Sequence, residues 1–181
     1  VFWCDEDEFH QVIADHRIFA GVIKSGKNKG TPRKLSRLCP NSACLLTARS
    51  ENEPEHARRI IGVFMVDENF VGKLRDDGYV LAHEKFILQL TEEEAKNLPF
   101  WKYYFNHNSP EKITWNTGKY RYFDNIMMAQ ILRDITQLKA DSNEQSMAQQ
   151  FFDYFCKTNQ LNHSEIPEPN GALIQLQLIV E

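Results

Sequence analysis

Apolar positions in the first half of the chain come in short runs, and most of these have strand rather than helix character. Residues 1–4 (Val-Phe-Trp-Cys) predict a short strand. Residues 5–16 place Phe9, Val12 and Ile13 at helical spacing behind an acidic start, which predicts a helix. Residues 17–24, 43–49 and 59–67 predict three further strands. The run Ile60-Ile-Gly-Val-Phe-Met-Val66 is continuously apolar, as in a strand buried on both faces. Residues 79–83 and 85–90 add two more, and the separators 51–58 and 69–78 are polar and carry Gly or Pro.

The period changes at Thr91. Thr91 and Glu94 have the spacing of a capping box, so a short helix starts there and stops before Pro99. Residues 124–139 place Met127, Met128, Ile131, Leu132, Ile135 and Leu138 on one helical face, and residues 143–158 do the same with Met147, Phe151, Tyr154 and Phe155. The short link 140–142 makes these an antiparallel pair. Residues 166–171 form an extended linker into a last strand-like run, 172–180. The predicted fold is α+β. A small, curled, mostly antiparallel β-barrel with an aromatic closing segment occupies residues 1–123, a helical pair packs on it over 124–165, and a linker and terminal strand follow over 166–181.

Charge alters this picture more than composition does. The 35 residues from His16 to Ser50 contain no Asp or Glu, although the chain has 25, and carry eight of its 21 Lys and Arg. A net charge of −4 hides this segregation. Charge of one sign concentrated locally attracts a polyanion whatever the total. Within the window, Lys24, Ser25, Lys27, Asn28, Lys29, Arg33, Lys34 and Arg37 form a basic loop punctuated by Gly26, Gly30 and Pro32. The loop is not a P-loop, because Gly30 is followed by Thr-Pro and not by Lys-Ser/Thr at the start of a helix. Its lysines and backbone N–H groups remain suited to phosphate oxygens.

A second cluster is aromatic: nine of the 24 residues from Phe100 to Phe123, among Asn106, His107, Asn108, Asn116 and Thr117. Flat rings beside amides can stack a base and read its edge. Most of these rings are expected in the core, with Trp101, Trp115 and Tyr120 lining a base pocket. That pocket must open on the side of the basic loop, since a base and its phosphate cannot engage opposite faces.

Other chemistry is weakly supported. Cys39 and Cys44 form a C-x4-C pair without the second half of a zinc site, so no metal and no cofactor are expected. A hydrolase or nuclease built around His83 or His107 lacks any motif, and no catalytic residue is assigned. No apolar run approaches the roughly 18 residues of a membrane span, and no signal peptide opens the chain, which predicts a cytoplasmic location with free thiols. The absence of an initial Met and the apolar C-terminal run read as the ends of a domain excised from a longer polypeptide.

The order of elements resembles the PUA-like superfamily, especially its EVE and YTH-type branches. The resemblance rests on Val1-Phe-Trp followed by a helix, a strand entering a basic loop, and the strands Ala43-Cys-Leu-Leu-Thr47 and Ile60–Val66. It covers roughly residues 1–123. It implies a small curled barrel that reads single-stranded RNA, or flipped modified bases, in an aromatic pocket beside a basic surface; from the residues alone the nucleic acid can be DNA or RNA. The segments 17–49 and 59–67 also look like those of bacterial accessory modules in multidomain proteins. That suggests a different function, a regulatory module docking neighbouring domains of the same polypeptide.

Overall fold

The computed structural model describes residues 2–4, 6–70, 73–110, 112–115 and 118–180. Val1, Asn116 and Thr117, named in the expectations above, lie outside them, as do residues 5, 71–72, 111 and 181 within the expected ranges. In chain order the elements are β1 (Phe2–Trp3), α1 (Glu6–Asp15), β2 (Arg17–Phe19), β3 (Ala43–Ala48), β4 (Arg59–Val66), α2 (Lys73–Asp76) and β5 (Tyr79–Gln89). They continue with α3 (Glu92–Lys96), α4 (Asn125–Leu138), α5 (Gln145–Thr158) and α6 (Ala172–Val180).

The strands form one five-stranded sheet in the order β1-β3-β4-β5-β2. β1 runs parallel to β3, and the other neighbours are antiparallel. The four antiparallel strands, β3-β4-β5-β2, curl into a half-barrel, and the edges of the whole sheet, β1 and β2, do not pair with each other among the described residues. This is the α+β class expected, with a half-barrel in place of a closed one.

The apolar run of β4 is buried on both faces. Ile60, Val63 and Met65 join one core cluster, whereas Phe64 and Val66 join another. Strict alternation would not put Ile60 and Val63 on the same side. The register shift opposite Leu46 and Thr47, where Leu46 pairs with Gly62 and Thr47 with Ile60, inserts Ile61 as an extra residue and flips the parity. Gly62 then faces α1. A Cβ there would stand 2.9 Å from the Phe9 ring, so the bare glycine lets α1 lie against the sheet.

One face of the sheet packs on α1, Leu35 and Phe70. The other packs on α3, the aromatic segment, α4 and α5. α4 and α5 form an antiparallel hairpin: Asn125 reaches Asn159 across one end (3.0 Å), and Lys139 reaches Glu144 across the other (2.6 Å). Thr91 and Glu94 form the expected capping box, and the Asp124 side chain caps α4 by accepting from Met127 N–H.

Three element expectations are corrected. Residues 17–24 give only a three-residue strand, because the chain turns at Gly21 (φ 85°) into the basic loop. The two strands expected over 79–83 and 85–90 are one continuous strand, Tyr79–Gln89, bent by a register shift between Val66–Ala82 and Phe64–Ile87 pairing. The run Ala172–Val180 is a helix and not a strand. Its Ala, Leu and Gln are good helix formers, and its first N–H groups are held by the aromatic segment: Gly171 donates to Lys102 O (2.8 Å) and Ala172 to Tyr104 O (2.9 Å). No helix among the described residues is long and apolar enough to cross a membrane.

Candidate nucleic-acid interface

The basic loop is a small finger built on its own backbone. Ile23 N–H donates to Thr31 O and Gly30 N–H to Ile23 O (both 2.9 Å), while Arg33 N–H returns to Gly21 O (2.9 Å). At the tip, Lys29 N–H bonds Gly26 O, and Thr31 closes on Asn28 O through both N–H and hydroxyl. Gly26 (φ 82°) and Gly30 (φ 85°) occupy the left-handed region that these turns require. Lys24, Ser25, Lys27, Asn28 and Lys29 are all exposed. No carboxylate pairs with Lys24, Lys27 or Lys29 among the described residues.

The finger's base is anchored. Leu35 is buried in the α1-side core, and Arg75 donates to Ser36 O (2.9 Å). Lys34 meets Asp76 at 2.9 Å, although both are well exposed, so the pair contributes little. Arg33 bonds Val22 O (3.1 Å) and is half-buried. Of the predicted phosphate-binding cations, Arg33 and Lys34 therefore have structural partners, and Lys24, Lys27 and Lys29 project.

The three predicted pocket rings do not meet in one cavity. Trp101 is completely buried, with Phe100 and Tyr104 against it edge-on and its Nε1 donating to Glu55 (3.3 Å). Trp115 is 6% exposed, its indole donates to Gly118 O (2.7 Å), and the guanidiniums of Arg58 and Arg121 lie 4.6 and 5.0 Å from its ring. Both are core rings with their contacts already filled. Tyr120 alone is half-buried and accessible, packed on Phe2 at 5.8 Å.

Tyr120 lines a cleft of about 380 Å³, together with Leu35, Arg37, Cys44, Tyr122 and Asn125 among others. A larger cleft of about 680 Å³ adjoins it and is bounded by Arg37, Tyr104, Asn106, Lys112, Arg121 and Tyr122, among others. Arg37, Arg121 and Tyr122 line both. Arg37 lies over the Tyr122 ring at 5.5 Å, and Tyr120 meets Tyr122 edge-on at 5.7 Å. Among the described residues, the large apolar or aromatic side chains that stand exposed, Val22 (39%) and Tyr122 (37%), belong to the finger and to this wall. Burial is the main cause holding the Tyr122 hydroxyl above its usual pKa, so it is a neutral donor near neutrality.

Arg121, Tyr122 and Asn106 were not singled out from sequence as site residues. The signal for them was local: a cation and a ring two residues beyond Lys119-Tyr120, opposite an amide-rich turn. Asn106 donates to Lys112 O (2.6 Å) and Thr114 O (3.2 Å) and accepts from Arg121 (2.8 Å), fixing the turn and aiming the guanidinium.

The remaining candidates are placed apart. Cys39 is exposed, whereas Cys44 is buried and its thiol is pushed up to about 12 by burial. No cluster of three metal-ligating side chains occurs among the described residues. His83 accepts from Lys85 N–H and lies on Phe86. His107 lies on Phe105 at the rim of the larger cleft. Neither forms an ion pair among the described residues. No protein-family model matches this chain, and no curated protein or solved structure matches it either.

Proposed function

We propose that the protein binds nucleic acid, with the finger gripping phosphates and the Tyr120–Tyr122 wall receiving a flipped or modified base. The observation that carries this reading is the position of Arg37. It ends the acid-free basic loop and also lines both aromatic clefts. Arg37 thus joins the end of the loop to the clefts, and the reading requires that a strand whose phosphates meet Lys24, Lys27 and Lys29 brings a base within reach of Tyr120 or Tyr122. The base-stacking role assigned from sequence to Trp101 and Trp115 passes to these two tyrosines. A PUA-like identity of the EVE or YTH type agrees with this arrangement of half-barrel, basic loop and cleft.

Fluorescence anisotropy with single- and double-stranded oligonucleotides of DNA and RNA tests the proposal. Lys27→Glu with Lys29→Glu should weaken binding. It should also flatten the dependence of log affinity on log salt by about 1.4 for a single strand, at roughly 0.7 per lost phosphate contact. Absence of binding at low salt, or binding indifferent to the double variant, would remove the nucleic-acid reading.

One observation favours the alternative, an accessory module docking neighbouring domains of its own polypeptide. α6 is apolar at seven of its nine positions, with Leu173, Ile174 and Leu176 only half-buried. In that case the finger meets an acidic protein surface, and poly-glutamate should compete for it as well as an oligonucleotide does.

A further inference from the structure

The larger cleft differs from the finger in how its charge is arranged. The finger spaces exposed lysines along a turn, which suits the single charges of successive phosphodiesters. The cleft gathers Arg37, Lys112 and Arg121 around one volume, and its described lining contains no Asp or Glu. One of these cations is preorganised. Arg121 donates to Asn106 Oδ1 (2.8 Å), Tyr104 hydroxyl (3.2 Å) and Thr114 O (3.4 Å), and its guanidinium lies 5.5 Å from the Tyr104 ring and 5.0 Å from that of Trp115. A guanidinium fixed in this way needs no further ordering when an anion arrives. Arg37 and Lys112 are exposed beside it and complete the cationic wall.

Three cations around one space exceed what a phosphodiester needs. A phosphomonoester carries about −1.5 to −2 near neutrality and three acceptor oxygens, and guanidiniums bind such groups in bidentate fashion. The Tyr122 ring, 37% exposed and with Arg37 over it at 5.5 Å, lines the same cleft as a ring for stacking, and His107 and Asn108 on the rim supply hydrogen-bonding groups. A volume of 680 Å³ lies within the range of small-ligand sites.

Resting on the nucleic-acid reading above for its class of ligand, we propose that this cleft binds a nucleoside phosphate through its phosphomonoester. Arg37, Lys112 and Arg121 hold the phosphate, and Tyr122 stacks the base. Asn106 is a positioning residue, acting through Arg121. The ligand is either a free mononucleotide or the phosphorylated end of a strand, and the chemistry of recognition is the same.

Calorimetric titration with adenosine 5′-monophosphate, adenosine and inorganic phosphate tests this directly. The monophosphate should bind saturably and at least about ten-fold more tightly than adenosine. Arg37→Gln with Lys112→Gln, both at exposed positions, should weaken it by about ten-fold or more, and Tyr122→Ala should weaken the monophosphate but not inorganic phosphate. Lys27→Glu with Lys29→Glu should leave monophosphate binding within about two-fold, because the finger is a separate element. Two oligonucleotides that differ only in a 5′-phosphate separate the sources. Preference for the phosphorylated strand assigns the site to strand ends. Equal affinity, with competition by the monophosphate, assigns it to free nucleotide. No saturable binding of the monophosphate at low salt, or binding unchanged in the Arg37/Lys112 variant, would overturn the cleft assignment. Oligonucleotide binding that persists in that outcome would leave the nucleic-acid reading standing, whereas monophosphate binding without oligonucleotide binding would do the reverse.

Discussion

The finger and the C-terminal core use the same residue types to opposite ends. In the core, Lys139 is 2% exposed and its ammonium donates to Gln89 O (3.0 Å), Glu94 (2.9 Å) and Glu144 (2.6 Å), joining β5, α3, α4 and the start of α5 at one point. Asp134 receives both Lys102 and the Tyr103 hydroxyl at 2.6 Å, and Arg58 makes a two-pronged pair with Glu55 at 2.5 and 3.0 Å. In the finger, Lys24, Lys27 and Lys29 have no such acceptors among the described residues. The aromatic rings divide in the same way, with Trp101 and Trp115 enclosed and Tyr122 presented. A cation or a ring is therefore informative about function only after its structural partners have been counted.

The sharpest way to break this division is to exchange rings across it. Trp101→Ala should cost about 3–5 kcal/mol of stability in urea unfolding, since it empties a completely buried site. Tyr122→Ala should change stability by less than about 0.5 kcal/mol, yet weaken oligonucleotide binding by about ten-fold. If Trp101→Ala instead spared stability and abolished binding, the assignment of the two rings would have to be reversed.

Lys139→Met should cost about 3 kcal/mol, because it leaves two carboxylates and a carbonyl without their shared donor. The same junction sets a pH dependence. Burial by itself would raise the Glu94 carboxyl, but Lys139 and the Thr91 N–H outweigh it and hold its pKa below the ordinary 4.5. A carboxyl depressed on folding stabilises above its unfolded pKa and loses that contribution as pH falls through its folded value. Burial likewise opposes the Lys139 charge, and the Glu144 and Glu94 carboxylates outweigh it, holding its pKa above 10.5. That contribution is present below 10.5 and lost at higher pH. Urea midpoints should therefore fall below about pH 4.5, and Glu94→Gln should shrink the acid-side loss. An acid limb unaltered in that variant would place the titrating group elsewhere.

Gly171→Ala comes next in expected effect. A Cβ there would lie 2.5 Å from the Lys102 carbonyl carbon and oxygen, with Trp101 O also in the way. Backbone cannot yield as a side-chain tip does, so about 1–3 kcal/mol and faster proteolysis within α6 are expected. The smallest stability effect belongs to the finger. Lys27→Glu with Lys29→Glu should change stability by under about 0.5 kcal/mol, measured in the same unfolding experiment. A large loss there would mean that the finger carries hidden structural contacts and would weaken the contrast with the core.

Local pattern determined much of this protein. The capping box at Thr91, the two amphipathic helices and the double-faced strand at Ile60–Val66 follow from side-chain spacing and chain stereochemistry, which act over a few residues. The acid-free window was legible for the same reason, since charge segregation is written directly in the chain. Tertiary structure decided the rest. Ala172–Val180 reads as a strand in sequence and is a helix in the fold, where the Lys102 and Tyr104 carbonyls take the N–H groups of Gly171 and Ala172 at its start. Trp101, Trp115 and Tyr122 belong to one aromatic cluster in sequence, where of these three only the two tryptophans stand out as pocket candidates. Their difference lies in Glu55 (46 residues before Trp101), in the two guanidiniums around Trp115, and in Arg37 over Tyr122. Burial and pairing are properties of residues distant in the chain, so no local pattern can encode which cation is already satisfied and which is left for a ligand.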